Sequence, residues 1–243
     1  MHRLFISDLH LSDDSLPAEE ALYSAVQREI LQRESAIDSL VILGDLFEAW
    51  VGDDDDAPLA NRVRDLFCAI TDAGTEVLLA RGNRDFMLGS AFAEQVGATL
   101  LGDETVMEVC NEPCLLMHGD TLCTDDTAYQ QFREMVRDPD WQAEMMTRDL
   151  EARRELARQL REMSIDAASN KPEDIMDVNS SAVLEAMKRN GAVRLIHGHT
   201  HRPARHKLPS GQERIVLGDW TDHRGWLLRE RDGALSLEEF PIG

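Results

Sequence analysis

Carboxylates, imidazoles and one amide recur at five points along this 243-residue chain, each where an apolar run ends. The segments are Asp8-Leu9-His10, Gly44-Asp45, Gly82-Asn83-Arg84-Asp85, His118-Gly119-Asp120 and Gly198-His199-Thr200-His201. They follow Leu4-Phe5-Ile6, Leu40-Val41-Ile42-Leu43, Val77-Leu78-Leu79-Ala80, Leu115-Leu116-Met117 and Val193-Arg194-Leu195-Ile196. Polar groups at the ends of buried strands are where layered α/β proteins assemble their sites. Asp8 and His10 are two apart and share a face of an extended segment, so one ion can take both; His199 and His201 repeat that geometry. Asp45 has two oxygens and can bridge two ions, Asn83 offers an amide oxygen and His118 an imidazole. Such a set suits two divalent cations about 3.5–4 Å apart, which clamp both oxygens of an in-line phosphoryl displacement. Oxygen ligands with some imidazole favour manganese or a similar ion, and a set without cysteine excludes all-thiolate zinc. Taken singly, each motif is an ordinary turn or stray polarity. It is the five in order that point to a metal centre. His197 reads as strand-end packing or as a support behind the ligands, and His2, His206 and His223 as ordinary polar residues.

The elements that must position these residues are legible from periodicity and breakers. The pattern predicts strands at 3–7, 39–43 and 76–80, alternating with helices at 18–34 and 58–73, the second closed by Gly74. That alternation is the signature of a layered α/β domain. A short helix is expected after Gly89, stopped by Gly97, then short strands near 98–101, 105–109 and 113–117. Between 122 and 190 the strands disappear. Helices are expected from Thr127 to Arg137, Trp141 to Met163 and Pro172 to Asn190. Strands return at 193–197, 205–208, 213–217, 225–229 and 234–239. The expected architecture is an α/β two-sheet sandwich flanked by helices. Its core runs through 1–121 and 191–243, and a helical insertion occupies 122–190.

Composition narrows the class. A net charge of −21 argues against nucleic acid as a partner, because phosphate backbones need a basic face. Only Lys171, Lys188 and Lys207 occur among 25 basic residues, a balance that fits either a salty cytoplasm or a compositional habit. Cys68, Cys110, Cys114 and Cys123 lack a second pair at zinc-site spacing and read as reduced thiols. No signal-peptide pattern or apolar run of about 20 residues is present, so the expected compartment is the cytoplasm.

The five motifs resemble those of the calcineurin-like metallophosphoesterases, which carry D-x-H, G-D, G-N-H-D/E, H and G-H-x-H in this order. Where many members have His after Gly-Asn, commonly assigned as general acid, this chain has Arg84. Arginine keeps its proton at any relevant pH. An alkoxide leaving group needs a proton, whereas a phosphate does not, so Arg84 argues for cleavage of a phosphoanhydride, its guanidinium neutralising the pyrophosphate. Longer stretches resemble the UDP-2,3-diacylglucosamine pyrophosphohydrolases of lipid A synthesis: Gly44 to Asp54, Gly82 to Phe86, Met117 to Asp126, Ile175 to Asn179 and His197 to Pro203. The resemblance implies water attack on the α-phosphorus of UDP-2,3-diacylglucosamine, giving UMP and 2,3-diacylglucosamine 1-phosphate. It implies two Mn2+ ions held by Asp8, His10, Asp45, Asn83, His118, His199 and His201. Asp45, Asn83, Arg84 and His118 would be catalytic, and Asn83, Arg84, Asp126, Ser164, Lys171 and His199 would touch substrate. Another contact, usually Asn, falls on Ala168, with Asn170 as its substitute.

A diacylated substrate needs an apolar enclosure, and the helical insertion is the natural lid. Trp141, Met145, Met146, Leu150, Leu156 and Leu160 either line an acyl chamber or pack the insertion on the body. Arg148, Arg153, Arg154, Arg158 and Arg161 make an Arg-rich face that could lie on anionic lipid, peripheral to the cytoplasmic side of the inner membrane. No obligate protein partner is expected. The rivals are another dinuclear phosphoesterase, such as a nucleotide pyrophosphatase or a phosphodiesterase, and a scaffold that kept the fold without catalysis. Arg84 and the insertion speak against the first, and the complete ligand set against the second.

Overall fold

The structure, a computed structural model, describes residues 1–13, 16–26, 28, 37–169, 177–209 and 211–242, without the side chains of 165–169. Its centre is two facing sheets. The first has the order β11(Ala234–Pro241)-β10(Arg224–Arg231)-β1(His2–Ile6)-β2(Ser39–Leu43)-β3(Glu76–Ala80)-β4(Thr99–Leu100). The second has the order β5(Thr105–Val109)-β6(Glu112–Leu116)-β7(Arg194–His197)-β9(Glu213–Val216)-β8(Ala204–Lys207). Strands β1 to β4 run parallel, and β6, β7 and β9 run parallel in the other sheet.

Both faces of β1 and β2 are covered, which is why Leu4-Phe5-Ile6 and Leu40-Val41-Ile42-Leu43 are apolar at every position rather than alternating. The inward faces put Phe5, Val41 and Leu43 against Leu116, Ile196 and Ile215 of the second sheet. The outward faces put Leu4, Ile6, Leu40 and Ile42 against α1(Leu16–Val26) and α2(Pro58–Asp72), where Leu22, Val63, Phe67 and Ile70 are buried. This is the side-chain alternation of a strand, used twice. α3(Ser90–Gln95) adds Phe92 to the same layer, edge-on to Phe67.

Among the described residues, four α-helices lie in the interval between β6 and β7: α4(Thr127–Arg137), α5(Pro139–Met146), α6(Leu150–Ser169) and α7(Ser180–Arg189). Here the structure corrects two expectations. The single helix expected over 141–163 is two, because Thr147 Oγ1 donates back to Glu144 O and Asp149 accepts the Ala152 N–H at 2.8 Å, starting α6 afresh. Of the helix expected over Pro172 to Asn190, the described residues 177–179 are not helical and α7 starts at Ser180, where Asn179 Oδ1 accepts from Ser181 N and Ala182 N. Residues 170–176, with Lys171 and Asn170, lie outside the described residues. The far end of the helix expected over 18–34 lies outside them too, since α1 is described to Val26. α7 packs Val183, Ala186 and Met187 on Leu115 and Leu195, closing the second sheet's outer face.

Candidate active site

The five motifs converge at the C-terminal ends of β1, β2, β3, β6 and β7. Loops after these strands are stitched together by backbone hydrogen bonds: Asp8 N to Gly44 O at 3.1 Å, His10 N to Asp45 O at 3.0 Å and Gly198 N to His118 O at 2.9 Å. The approach is so close that glycine is required. A Cβ on Gly82 would lie 2.0 Å from Asp45 Oδ1, and one on Gly198 2.2 Å from Asp8 Oδ2. Backbone strain collects at the same place. Asp8, His10, Asp45, His199 and His201 all have φ between 49° and 68°. Left-handed geometry is costly for such residues and persists only where the surroundings over-determine it.

All seven expected ligands meet in this cleft. Asn83 Oδ1 lies 2.9 Å from His118 Nε2 and 2.8 Å from His199 Nδ1. His10 Nε2 lies 3.3 Å from His201 Nε2. Asp45 stands between two groups, with Oδ2 3.8 Å from His10 Nε2 and Oδ1 3.7 Å from His118 Nε2. Two triplets have ligand atoms within 4.8 Å of one another, Asp8/His10/His201 and Asp8/Asp45/His118, and Asp8 belongs to both. The donor set therefore fits two adjacent divalent cations sharing carboxylates: two Asp, four imidazoles and an amide oxygen, with no thiolate.

The electrostatics follow from burying these groups together. Burial works against the charge of Asp8, yet a His201 hydrogen bond and the nearby imidazoles hold its carboxyl well below the usual range. Burial likewise opposes a charged His10, but Glu48, Asp45 and Asp8 outweigh it and push His10 up to about 9. His199 goes the other way, down to about 4, through burial and the charge of His118. A cation at this site would displace the proton that His10 holds, whereas His199 is already neutral and free to donate its lone pair. Supporting groups fix the geometry. Ser7 Oγ donates to Asp8 Oδ2 at 2.6 Å, and His118 Nδ1 meets Leu43 O at 2.9 Å. Asp85, which spacing alone did not single out, accepts from Gly82 N at 2.6 Å and Leu46 N at 2.8 Å, tying the β2 and β3 loops together. Burial, then the Asp45 charge, pushes its carboxyl up to about 6.

Beside the cluster a cavity of about 470 Å³ opens between the core and helices α4 to α6. Asn83, Arg84, His199 and His201 form its polar end. Trp141, Met145, Leu156 and Leu160 line its apolar end, whereas Met146 and Leu150 do not line it. Trp50, Phe86 and Phe132, which periodicity did not distinguish from core, also face it. Asp126 and Ser164 are both on its wall. Asp126 Oδ1 caps α4 by accepting from Tyr129 N at 3.0 Å, and Ser164 Oγ lies 3.2 Å from Arg84 Nη1. Arg84 N donates to Asp45 Oδ1 at 2.8 Å, while its Nε is buried beside the cavity with no hydrogen-bond partner among the described residues. A guanidinium N–H so placed has the chemistry to receive an anionic oxygen. Ala168 falls in the last turn of α6.

Each arginine of the face that could meet lipid has an acidic partner. Arg153 pairs with Asp54 at 2.5 Å and Arg154 with Asp55 and Asp56 at 2.5 and 2.6 Å. Arg161 pairs with Glu48, Arg158 with Glu155 and Arg148 with Glu144. The run Asp53 to Asp56, unassigned from sequence, thus docks α6 on the core. Asp53 itself accepts from Trp50 Nε1, Gly89 N and Phe92 N.

Comparison with known proteins agrees with this geometry. The sequence model of the calcineurin-like phosphoesterase family matches residues 1–203. A Cellvibrio japonicus protein named UDP-2,3-diacylglucosamine hydrolase is 46% identical over 245 residues, covering 100% of both chains. Proteins of the same name from Chromohalobacter salexigens and Escherichia coli O7:K1 are 44% and 46% identical, covering 99% and 100% of this chain and 98% and 100% of their own. Among solved structures, a dimetal phosphatase from Danio rerio superposes with a TM-score of 0.54 at 14% identity, covering 100% of this chain and 98% of that one. An archaeal phosphodiesterase gives 0.51 at 12% identity, with full coverage of both. At such identities the structures speak for the fold alone.

Proposed function

We propose that this chain, which belongs to the calcineurin-like phosphoesterase family, hydrolyses the pyrophosphate bond of UDP-2,3-diacylglucosamine to UMP and 2,3-diacylglucosamine 1-phosphate. It is a hydrolase with a site built for divalent cations. The observation that carries the substrate reading is one cavity with two chemistries: a space of about 470 Å³ lined both by apolar side chains and by members of the carboxylate–imidazole cluster. A water-soluble nucleotide would have no use for the chamber, and a plain lipid none for the cluster.

Asp8, His10, Asp45, Asn83, His118, His199 and His201 would hold two cations, Mn2+ by the donor set. Bound there, the cations supply Lewis-acid stabilisation of the phosphoryl oxygens and lower the pKa of water. The chain's own groups do the rest. Arg84, at the polar end and with no partner for Nε among the described residues, takes a pyrophosphate oxygen and offsets the charge that grows as the anhydride bond lengthens. It gives no proton, and departing phosphate needs none. Asn83, between His118 and His199, orients the α-phosphate beside it. Asp126 and Ser164 on the cavity wall, with Lys171 and His199, hold the glucosamine phosphate. The insertion 122–190 acts as the lid between the core segments 1–121 and 191–243. Trp141, Leu156 and Leu160 exclude water around the acyl chains.

Among the described residues no helix is long and apolar enough to cross a membrane. We place the enzyme on the cytoplasmic face of the inner membrane, touching it through exposed methionines on the insertion. Met163 is 66% and Met146 43% exposed. The test is to compare UMP release from the diacylated and the deacylated UDP-sugar at equal concentration. Strong preference for the acylated form is expected; equal rates would remove the chamber from the argument.

A further inference from the structure

The imidazoles of the cluster are not all braced alike. His118 Nδ1 rests on a backbone carbonyl, Leu43 O, and His201 Nδ1 faces Asp219 Oδ2 at 3.7 Å on the segment after β9. Both supports belong to the sandwich. His10 differs. Its Nε2 turns into the cluster, while its Nδ1 lies 3.0 Å from Glu48 Oε2. The other Glu48 oxygen is ion-paired with Nε of Arg161, on α6. One carboxylate therefore spans from an expected metal ligand to the helix that walls the cavity.

We infer that Glu48 is a positioning residue that couples the seating of α6 to the metal affinity of His10, an inference that rests on the metal-centre reading above. The Glu48 contact is an ion pair rather than an aligned hydrogen bond, and a carboxylate this close to Nδ1 draws the proton there, which favours the tautomer whose Nε2 lone pair faces inward and makes it a better donor. Glu48 has competing attractions, since the guanidinium of Arg84 also acts on it. Arg161 helps hold it on His10. Were α6 lifted to admit a substrate, Arg161 would leave, and Glu48 could turn from His10 toward Arg84. With α6 seated, the carboxylate is pinned and His10 is braced. Coupling of this kind is reciprocal: metal should favour the seated helix as the seated helix favours metal.

The test reads metal binding without turnover. Free Mn2+ is followed by electron paramagnetic resonance while the metal is titrated into wild type, Glu48→Gln, Arg161→Gln, Arg161→Lys and the Glu48→Gln/Arg161→Gln double variant. Glu48→Gln should weaken one of two Mn2+ sites by about 10–100-fold, the usual cost of removing such a brace. Arg161→Gln should weaken the same site less, Arg161→Lys should restore most of that loss, and the double variant should match Glu48→Gln alone. Unchanged Mn2+ affinity in Glu48→Gln, or simple additivity in the double variant, would overturn the coupling while leaving the metal centre intact. If Glu48→Gln failed to fold, Arg161→Gln alone would decide, unchanged affinity again overturning the proposal. A wild type that bound no Mn2+ would overturn both readings together.

Discussion

Asp45 sits at φ 52° with one carboxylate oxygen turned to His10 and the other to His118, so it faces both halves of the cluster. Asp45→Ala should lower UMP release by about 10³-fold or more, since it removes a ligand shared by both cations, with the far-UV circular dichroism unchanged. Activity within tenfold of wild type would break the two-cation account. Arg84→His should cost about 10²–10³-fold in kcat, the loss typical of one transition-state donor. A variant that cleaved the anhydride normally would take the charge-neutralising role from Arg84. That the seven expected ligands meet in one cleft was legible in the sequence because each closes an apolar strand, and strand ends of parallel sheets converge. Glu48, Asp85 and Asp219 were not. Their roles depend on which loops meet across the sheet ends, and nothing in local spacing records that. Arg161 was legible only as charge, and the structure assigns that charge to Glu48.

At the scale of elements, the sandwich strands announced themselves through runs such as Leu40 to Leu43, which are apolar on both faces because one face meets a helix layer and the other the second sheet. The break between α5 and α6 did not. Apolar periodicity continues across Thr147-Arg148-Asp149 without glycine or proline, and only the hydrogen bond from Ala152 N to Asp149 reveals a new start. Asp149→Ala should therefore destabilise the chain by about 1 kcal/mol in chemical unfolding, the usual value of a helix N-cap. No shift would mean that the two helices tolerate fusion. Gly82→Ala belongs here too. Its Cβ would fall 2.0 Å from Asp45 Oδ1, so the β2 and β3 loops must separate. Loss of Mn2+ binding with most of the helix signal retained is expected, and normal binding would show that the loops can yield.

For the molecule as a whole, net charge argues against a nucleic-acid role and says little about how the Arg-rich helices are used. A chain at −21 can still hold Arg-rich helices, because their charge is neutralised within the fold: Arg153 and Arg154 by the Asp54 to Asp56 run, Arg161 by Glu48. Membrane contact, in this account, passes to apolar side chains left outside. Met146→Glu together with Met163→Glu should reduce co-sedimentation with phospholipid vesicles several-fold at unchanged thermal stability; undiminished binding would locate the contact elsewhere. The cavity unites the scales, since the loops after the strands and the helices of the insertion both line it.

The measurement that reaches the central claim most directly is Mn2+-dependent UMP release from UDP-2,3-diacylglucosamine in detergent micelles, with bis-p-nitrophenyl phosphate and diadenosine tetraphosphate as comparison substrates. The account predicts fast UMP release that chelation abolishes and Mn2+ restores, with slow turnover of both comparisons. No UMP alongside rapid cleavage of a comparison substrate would contradict it, leaving the metal cluster but not the acylated nucleotide sugar.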